Sequence, residues 1–239
     1  MINVTKFHKF LDKIYRDCIF NEKALYEKSI FDDPNLLLTW KEIEKIINLN
    51  LGYTDIIDNN SNRIDIPSAP YFWSSKLIQN KNILFSLIND GNCFSISQCF
   101  YLNEKINELL SIIESKFDVV CDAHLYGGLN KKSNSFIPHV DIPSNFIIQI
   151  EGETNWVIYK NIASDMFSQE FINSHKFLTD KLEIDFEIIL SPGDCIYIPP
   201  RRFHAAFPSD KRLSISIPAA SKKYTKAVSL DRKIYEFTQ

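Results

Sequence analysis

The chain is 239 residues long, 45% hydrophobic and 24% charged, and its 27 basic and 30 acidic side chains leave a net charge of −3. That length fits one large domain, or one domain with an appended subdomain, and is enough to bury a substantial core. The near-neutral balance excludes a strongly basic nucleic-acid binder and a highly charged disordered tail. The six glycines form neither a G-x-G-x-x-G nor a Walker A loop. Five cysteines, Cys18, Cys93, Cys99, Cys121 and Cys195, are odd in number and contain no C-x-x-C pair. The start of the chain lacks the apolar stretch of a secretory signal, and no apolar run reaches membrane-spanning length. The expectation is therefore free, buried thiols in a reducing cytoplasm.

In chain order, Phe7, Phe10, Leu11, Ile14 and Tyr15 recur at helical spacing. Thr39-Trp40-Lys41-Glu42 reads as a capping box, with Ile43, Ile46 and Ile47 as the buried stripe of the helix it opens. The polar run 58–62 reads as a mobile surface loop. Asn103 reads as the cap of a helix whose apolar face is Ile106, Leu109, Leu110, Ile113 and Phe117. The first hundred residues thus read mainly as helices. Beyond Phe117 come short β-rich runs at 119–126, 146–150, 156–159, 184–190, 195–198 and 213–217. Turn signals separate them at Gly127-Gly128, Glu151-Gly152-Glu153 and Ser191-Pro192-Gly193-Asp194. A helical insert is expected over 166–177. This spacing indicates a sandwich or jelly roll rather than alternating βαβ units. The expected division is a helical cover with initial strands over 1–118, a β core over 119–220 and a short C-terminal segment over 221–239. In that last segment Tyr224, Val228, Leu230 and Ile234 would line a packing helix able to support a homodimer.

The chemistry is expected in the β half. In Pro138-His139-Val140-Asp141, an extended backbone would point His139 and Asp141 the same way, so both could reach one ion. An H-x-D pair is a weak signal alone and needs a third ligand. His204 is the candidate; it follows a turn, an apolar run and a proline-ended loop at 191–200. Two imidazoles and a carboxylate make a facial triad with adjacent coordination positions left open. That donor set favours a non-haem Fe(II) oxygenase over zinc or copper. The plainer readings are a loop pair for His139 and Asp141 and a core histidine for His204. Lys131-Lys132 and Arg201-Arg202 read as solvated charge, with a substrate-facing role for Arg201 or Arg202 as the alternative. Trp73 and Trp156 read as core, and His8, His124 and His175 have no supporting spacing.

The blocks 139–156 (HVDIPSNFIIQIEGETNW) and 191–204 (SPGDCIYIPPRRFH) resemble the core of the JmjC/cupin-like 2-oxoglutarate oxygenases. The likeness is to the branch holding the factor-inhibiting-HIF hydroxylase and the bacterial ribosomal oxygenases, with weaker similarity at Trp40 and over 92–126. The resemblance implies a mainly β fold, a double-stranded β-helix or jelly roll with N-terminal helices packed outside, and 119–220 as its core. It implies Fe(II) held by His139, Asp141 and His204, with 2-oxoglutarate as co-substrate and dioxygen as oxidant. The implied reaction hydroxylates a C–H bond of a protein or peptide side chain, or of a small natural-product intermediate, releasing succinate and CO2. Asn145, six residues after the first histidine, occupies the place of an Asn near the co-substrate's C1 carboxylate. Ser216, twelve after His204, matches a small hydroxyl residue of some relatives. The family's Lys or Arg for the distal carboxylate falls on Thr154, and the Thr used instead in the nearest branch falls on Phe136. Another charge is then needed, from Lys131, Lys132, Lys211 or Arg212, with Tyr126 and Thr154 as neutral donors. The alternatives are a cupin-type oxygenase or isomerase that does not use 2-oxoglutarate, and a non-catalytic jelly-roll binding protein. Net charge −3 gives no support to a nucleic-acid substrate, and nothing points to a membrane.

Overall fold

The computed structural model describes residues 4–18, 22–73, 75–99, 103–133, 137–168 and 181–223. Helix α1, Val4–Asp17, buries Phe7, Phe10, Leu11 and Ile14, while Tyr15 stays half exposed against the Phe117 ring. Helix α2, Trp40–Asn48, opens on the expected capping box. The Thr39 side chain accepts from the Glu42 N–H, and the Glu42 carboxylate accepts from the Thr39 N–H at 2.7 Å. Helix α3, Lys81–Asn89, is capped by Asn80, and α4, Glu104–Phe117, by Asn103, which accepts from the Lys105 and Ile106 N–H groups. Each cap satisfies amides that the first turn leaves without partners.

The early strands are β1 Leu25–Glu27, β2 Thr54–Ile57, β3 Arg63–Ile64, β4 Ser68–Pro70, β5 Leu77–Gln79 and β6 Cys93–Ile96. The later ones are β7 Val119–Cys121, β8 His124–Gly128, β9 Ser144–Glu151, β10 Thr154–Ile162, β11 Ile184–Leu190, β12 Cys195–Ile198, β13 Arg202–Pro208 and β14 Arg212–Ser221. A major antiparallel sheet runs β1-β12-β9-β14-β8-β6-β2-β3, with β7 also on β14, and a minor sheet runs β11-β10-β13. The two pack through Ile147, Ile196 and Ile198 of the major sheet against Trp156, Ile158, Leu190 and Ala206 of the minor. This is the mainly β, double-stranded β-helix with helices outside that the sequence leads one to expect.

Among the helices of the first hundred residues lie six short strands that the sequence did not locate individually. Each has two to four residues, too few to show an alternating pattern, and several are held by distant partners: Leu25 pairs with Tyr197, and Phe94 with Gly127. The 58–62 segment is not a loose loop. The Asp58 carboxylate accepts from the Asn60 and Asn62 N–H groups, both at 2.8 Å, and Ser61 Oγ accepts from the Ile137 N–H at 2.9 Å. Of the expected 166–177 insert, Met166 lies in a turn and residues from 169 onward fall outside the described ones, as do Phe136 and the C-terminal stripe at 224–234. No described helix is long and apolar enough to cross a membrane.

Side-chain alternation divides the major sheet between two interiors. Phe146, Ile148 and Ile150 of β9 and Leu213, Ile215 and Ile217 of β14 join Phe10, Leu11, Leu110 and Ile113 in the core beneath the helices. The opposite positions, Asn145, Ile147 and Gln149 on β9 and Arg212, Ser214 and Ser216 on β14, face the space between the sheets and are all buried. The β9–β10 turn fixes where β14 begins. Gly152 has φ +68°, and a Cβ there would lie 1.9 Å from the Lys211 carbonyl oxygen. Gly152→Ala is expected to cost about 2 kcal/mol through strain and that clash. Urea denaturation should show it as a lower midpoint at unchanged slope; an unchanged midpoint would mean the turn relaxes freely.

Candidate metal centre

His139 lies outside the long strands and is held by reciprocal hydrogen bonds with β13. The His139 N–H donates to the His204 carbonyl and the His204 N–H to the His139 carbonyl, both at 3.0 Å. This single bridge sets the two rings 4.4 Å apart between centroids. His204 is itself placed by its pairing with Ile158 of β10. Asp141 follows two residues after His139, its backbone carbonyl taking the Arg201 N–H at 2.7 Å, and its Oδ2 lies 3.6 Å from His204 Nε2. One donor atom from each of His139, Asp141 and His204 falls within 4.8 Å of the others. The three residues singled out in the sequence are thus brought together.

Both imidazoles are oriented in the same way. His139 Nδ1 lies 2.9 Å from the Ile137 carbonyl and His204 Nδ1 2.8 Å from the Arg202 carbonyl. A carbonyl only accepts, so Nδ1 carries the proton and the Nε2 lone pair is left for an ion. Asp141 is oriented in turn: its Oδ2 accepts from Asn145 Nδ2 at 2.5 Å, and Asn145 Oδ1 accepts from Ser216 Oγ at 3.2 Å. Asn145 and Ser216 therefore stand in line behind the carboxylate. Burial, and then the neighbouring His204, push the His139 imidazole down to about 4. Burial pushes the Asp141 carboxyl up, but the neighbouring His204 and His139 outweigh it and hold the group at about 2.

The cluster lines one end of a pocket between the sheets. Tyr126 of β8, Asn145 and Ile147 of β9, and Arg212, Ser214 and Ser216 of β14 form one wall; Trp156 of β10 and Ala206 of β13 form part of the other. Tyr126 stands opposite Ser214. Burial, and then the Asp141 charge, push its phenol up, so it stays a neutral donor. Thr154 is fully buried on the same face of β10 as Trp156, and its Oγ1 has no hydrogen-bond partner, but it is not among the residues that line the pocket. Among the four candidate cations, only Arg212 lines it. Lys211 points away, 3.0 Å from Glu151 and over the Trp40 ring, and Lys131 and Lys132 lie in an exposed turn. The signal that separates Arg212 from Lys211 is the alternation Arg212-Leu213-Ser214-Ile215-Ser216, which puts Arg212 on the face of Ser216.

Arg202 is not solvated charge, and Arg201 is partly exposed but tied to backbone carbonyls. Arg201 donates to the Ser164 and Phe167 carbonyls, and buried Arg202 pairs with Asp185 at 2.6 Å. Trp73, read as core, is 83% exposed in the β4–β5 hairpin and stacked edge-on against Phe72, because that hairpin pairs only with itself. Strand β13, which carries His204, is missing from the sequence reading; Arg-Phe-His-Ala-Ala lacks the β-branched residues that mark strands.

Fold and cluster together define a jelly roll with two histidines and one carboxylate gathered, as a candidate metal-ligand set, at one end of a polar pocket. A JmjC domain family model matches residues 96–227, more than half of the chain, and the chain belongs to that family. Among curated relatives, the bifunctional lysine-specific demethylase and histidyl-hydroxylase NO66 of Dictyostelium discoideum is 30% identical over 201 residues, covering 82% of this chain and 38% of that protein. The protein of the same name from Drosophila willistoni is 30% identical over 114 residues, 47% of this chain and 14% of that one. Ribosomal oxygenase 1 of Danio rerio is 28% identical over 93 residues, 38% and 17% of the two. The chain therefore spans well under half the length of these relatives. Among solved structures, the Escherichia coli ribosomal oxygenase YcfD in complex with cobalt and 2-oxoglutarate shares the fold, with TM-score 0.61 at 13% identity over 100% of this chain and 62% of that one.

Two expectations follow from the geometry. Asn145→Ala removes the donor that orients Asp141 and should weaken Co(II) binding about 10- to 100-fold by calorimetric titration; unchanged affinity would remove Asn145 from that role. For the metal-free protein, His139 is held below its ordinary value of 6.5. The unfolded state then binds more protons as pH falls, so this stability is full above pH 6.5 and is lost progressively toward about 4. Urea midpoints at pH 7, 5.5 and 4.5 should drop more steeply for the wild type than for His139→Ala.

Proposed function

We propose that the chain is an Fe(II)- and 2-oxoglutarate-dependent dioxygenase that hydroxylates a C–H bond of a protein side chain. The observation that carries this reading is the placement of the ligand set. His139, Asp141 and His204 gather their donors at the mouth of a pocket that runs inward between the sheets. His139, Asp141 and His204 would hold a divalent ion from one side and leave room beside it for a keto acid and dioxygen, and this mixed donor set suits Fe(II). When bound, iron and keto acid supply the oxidation: one oxygen atom of O2 enters the substrate as hydroxyl, the other enters succinate, and CO2 leaves. The chain's own residues do the rest. The two imidazoles and Asp141 would hold the metal, Asn145 orients Asp141, and Trp156, Ile147 and Ala206 exclude water from the pocket walls.

A polypeptide substrate is favoured by the rim. Ile137 and Ile142, immediately beside His139 and Asp141, expose apolar surface at the mouth. The relatives' names, histidyl-hydroxylase and ribosomal oxygenase, point the same way. The five buried, unbridged cysteines suit a reducing cytoplasm.

With Fe(II), 2-oxoglutarate and oxygen, the protein should form succinate, and His139→Ala or Asp141→Ala should abolish that formation. Succinate released by either variant at the wild-type rate would overturn the reading.

A further inference from the structure

We propose that Arg212, on the last strand of the major sheet, anchors the distal carboxylate of the keto acid, in place of a cation at position 154. The inference rests on the 2-oxoglutarate reading above. Thr154 is neutral and lies just outside the pocket lining, so β10 offers no charge to a buried dicarboxylate. Burying that second carboxylate without a cation would carry a prohibitive desolvation cost. Arg212 is the one cationic side chain among the described residues lining the pocket, and it is 2% exposed.

Its position along β14 matches the length of the ligand. Arg212, Ser214 and Ser216 alternate onto one face, and Ser216 reaches the metal end through Asn145 and Asp141. At about 3.3 Å per residue, Arg212 starts about 13 Å along the strand from Ser216. An arginine side chain reaching back and an extended five-carbon diacid together cover that span. Tyr126 lies opposite Ser214, between the two ends, and adds a neutral donor. The guanidinium is braced from behind, with Nη2 3.4 Å from the Ser133 carbonyl and 3.6 Å from Cys93 Sγ. Gly128, paired with Arg212, keeps that space open: a Cβ there would lie 2.0 Å from the Ser133 Cβ.

The charges are complementary as well. Asp141 contributes one negative charge, Arg212 one positive and a divalent ion two, while metal-bound imidazoles are neutral. A cationic side chain at the end of the pocket away from the metal ligands suits a dianion better than a monocarboxylate. The planar fork of arginine also binds a carboxylate at two points, which a lysine cannot reproduce.

The test is calorimetry on Co(II)-loaded protein, comparing 2-oxoglutarate with 2-oxopentanoate, which has the same chain length but no distal carboxylate. The wild type should prefer 2-oxoglutarate. Arg212→Gln should lower that affinity at least about 30-fold while leaving 2-oxopentanoate and Co(II) binding unchanged. Arg212→Lys should recover only part of the loss, and adding Thr154→Lys to Arg212→Gln should restore the preference from the other strand. A preference retained in Arg212→Gln would overturn the anchor and leave the proposed function standing. A wild type that binds neither keto acid would overturn both. If Arg212→Gln does not fold, the Arg212 Nε–H resonance of the wild type decides: it should shift with 2-oxoglutarate and stay in place with 2-oxopentanoate, and no shift with either would refute the anchor.

Discussion

The site depends on one constraint, the opposition of the two faces of β9 and β14. One face of these central strands is covered by helices and the other looks into a polar pocket. Six apolar side chains, Phe146, Ile148, Ile150, Leu213, Ile215 and Ile217, lock the strands to the helical layer. At about 1.5–3 kcal/mol each they contribute on the order of 10 kcal/mol, an upper range for burial measured from an extended chain. That is enough to offset the several kcal/mol needed to hold one arginine out of water on the other face. The pocket can be polar because the reverse side of its wall is not.

The metal cluster is assembled differently. His139 is held by one reciprocal bridge to His204 rather than by a strand of its own, and two backbone carbonyls turn both imidazoles the same way. The cluster is therefore arranged before any ion arrives. Its repulsion is limited because His139 is kept neutral and Asp141 charged over the neutral pH range. The hydrogen-bonded line from Ser216 through Asn145 to Asp141 ties this cluster to β14, the strand that also carries Arg212. One strand thus sets the distance between the two ends of the pocket, and the Gly152 turn sets where that strand begins.

The parts readable from the sequence are those whose cause is local. The capping box at Thr39, the cap at Asn103 and the stripes of α1, α2 and α4 depend on neighbours within a few residues, and β11 and β12 are bounded by their own turns. Strands β1 to β6 were not readable because they are short and exist through partners far along the chain, as β1 does through β12. The expected loop at 58–62 proved to be a closed turn because Asp58 collects two amides and Ser61 a third from residue 137, a contact across 76 residues. His139 and Asp141 were readable as a pair from their spacing, whereas His204 was marked only by the turn, apolar run and proline-ended loop before it, since β13 around it carries no strand signature.

The sequence by itself determined the chemical inventory: two histidines and an aspartate in ligand spacing, a threonine where a cation was expected, and four basic residues able to replace it. Only the tertiary structure shows which of those four lines the pocket. Alternation along a strand says that Lys211 and Arg212 face opposite ways, but not which way is in. That choice was made by what packs on each side: helices and apolar core behind Leu213, Ile215 and Ile217, and the metal cluster and Tyr126 before Arg212, Ser214 and Ser216.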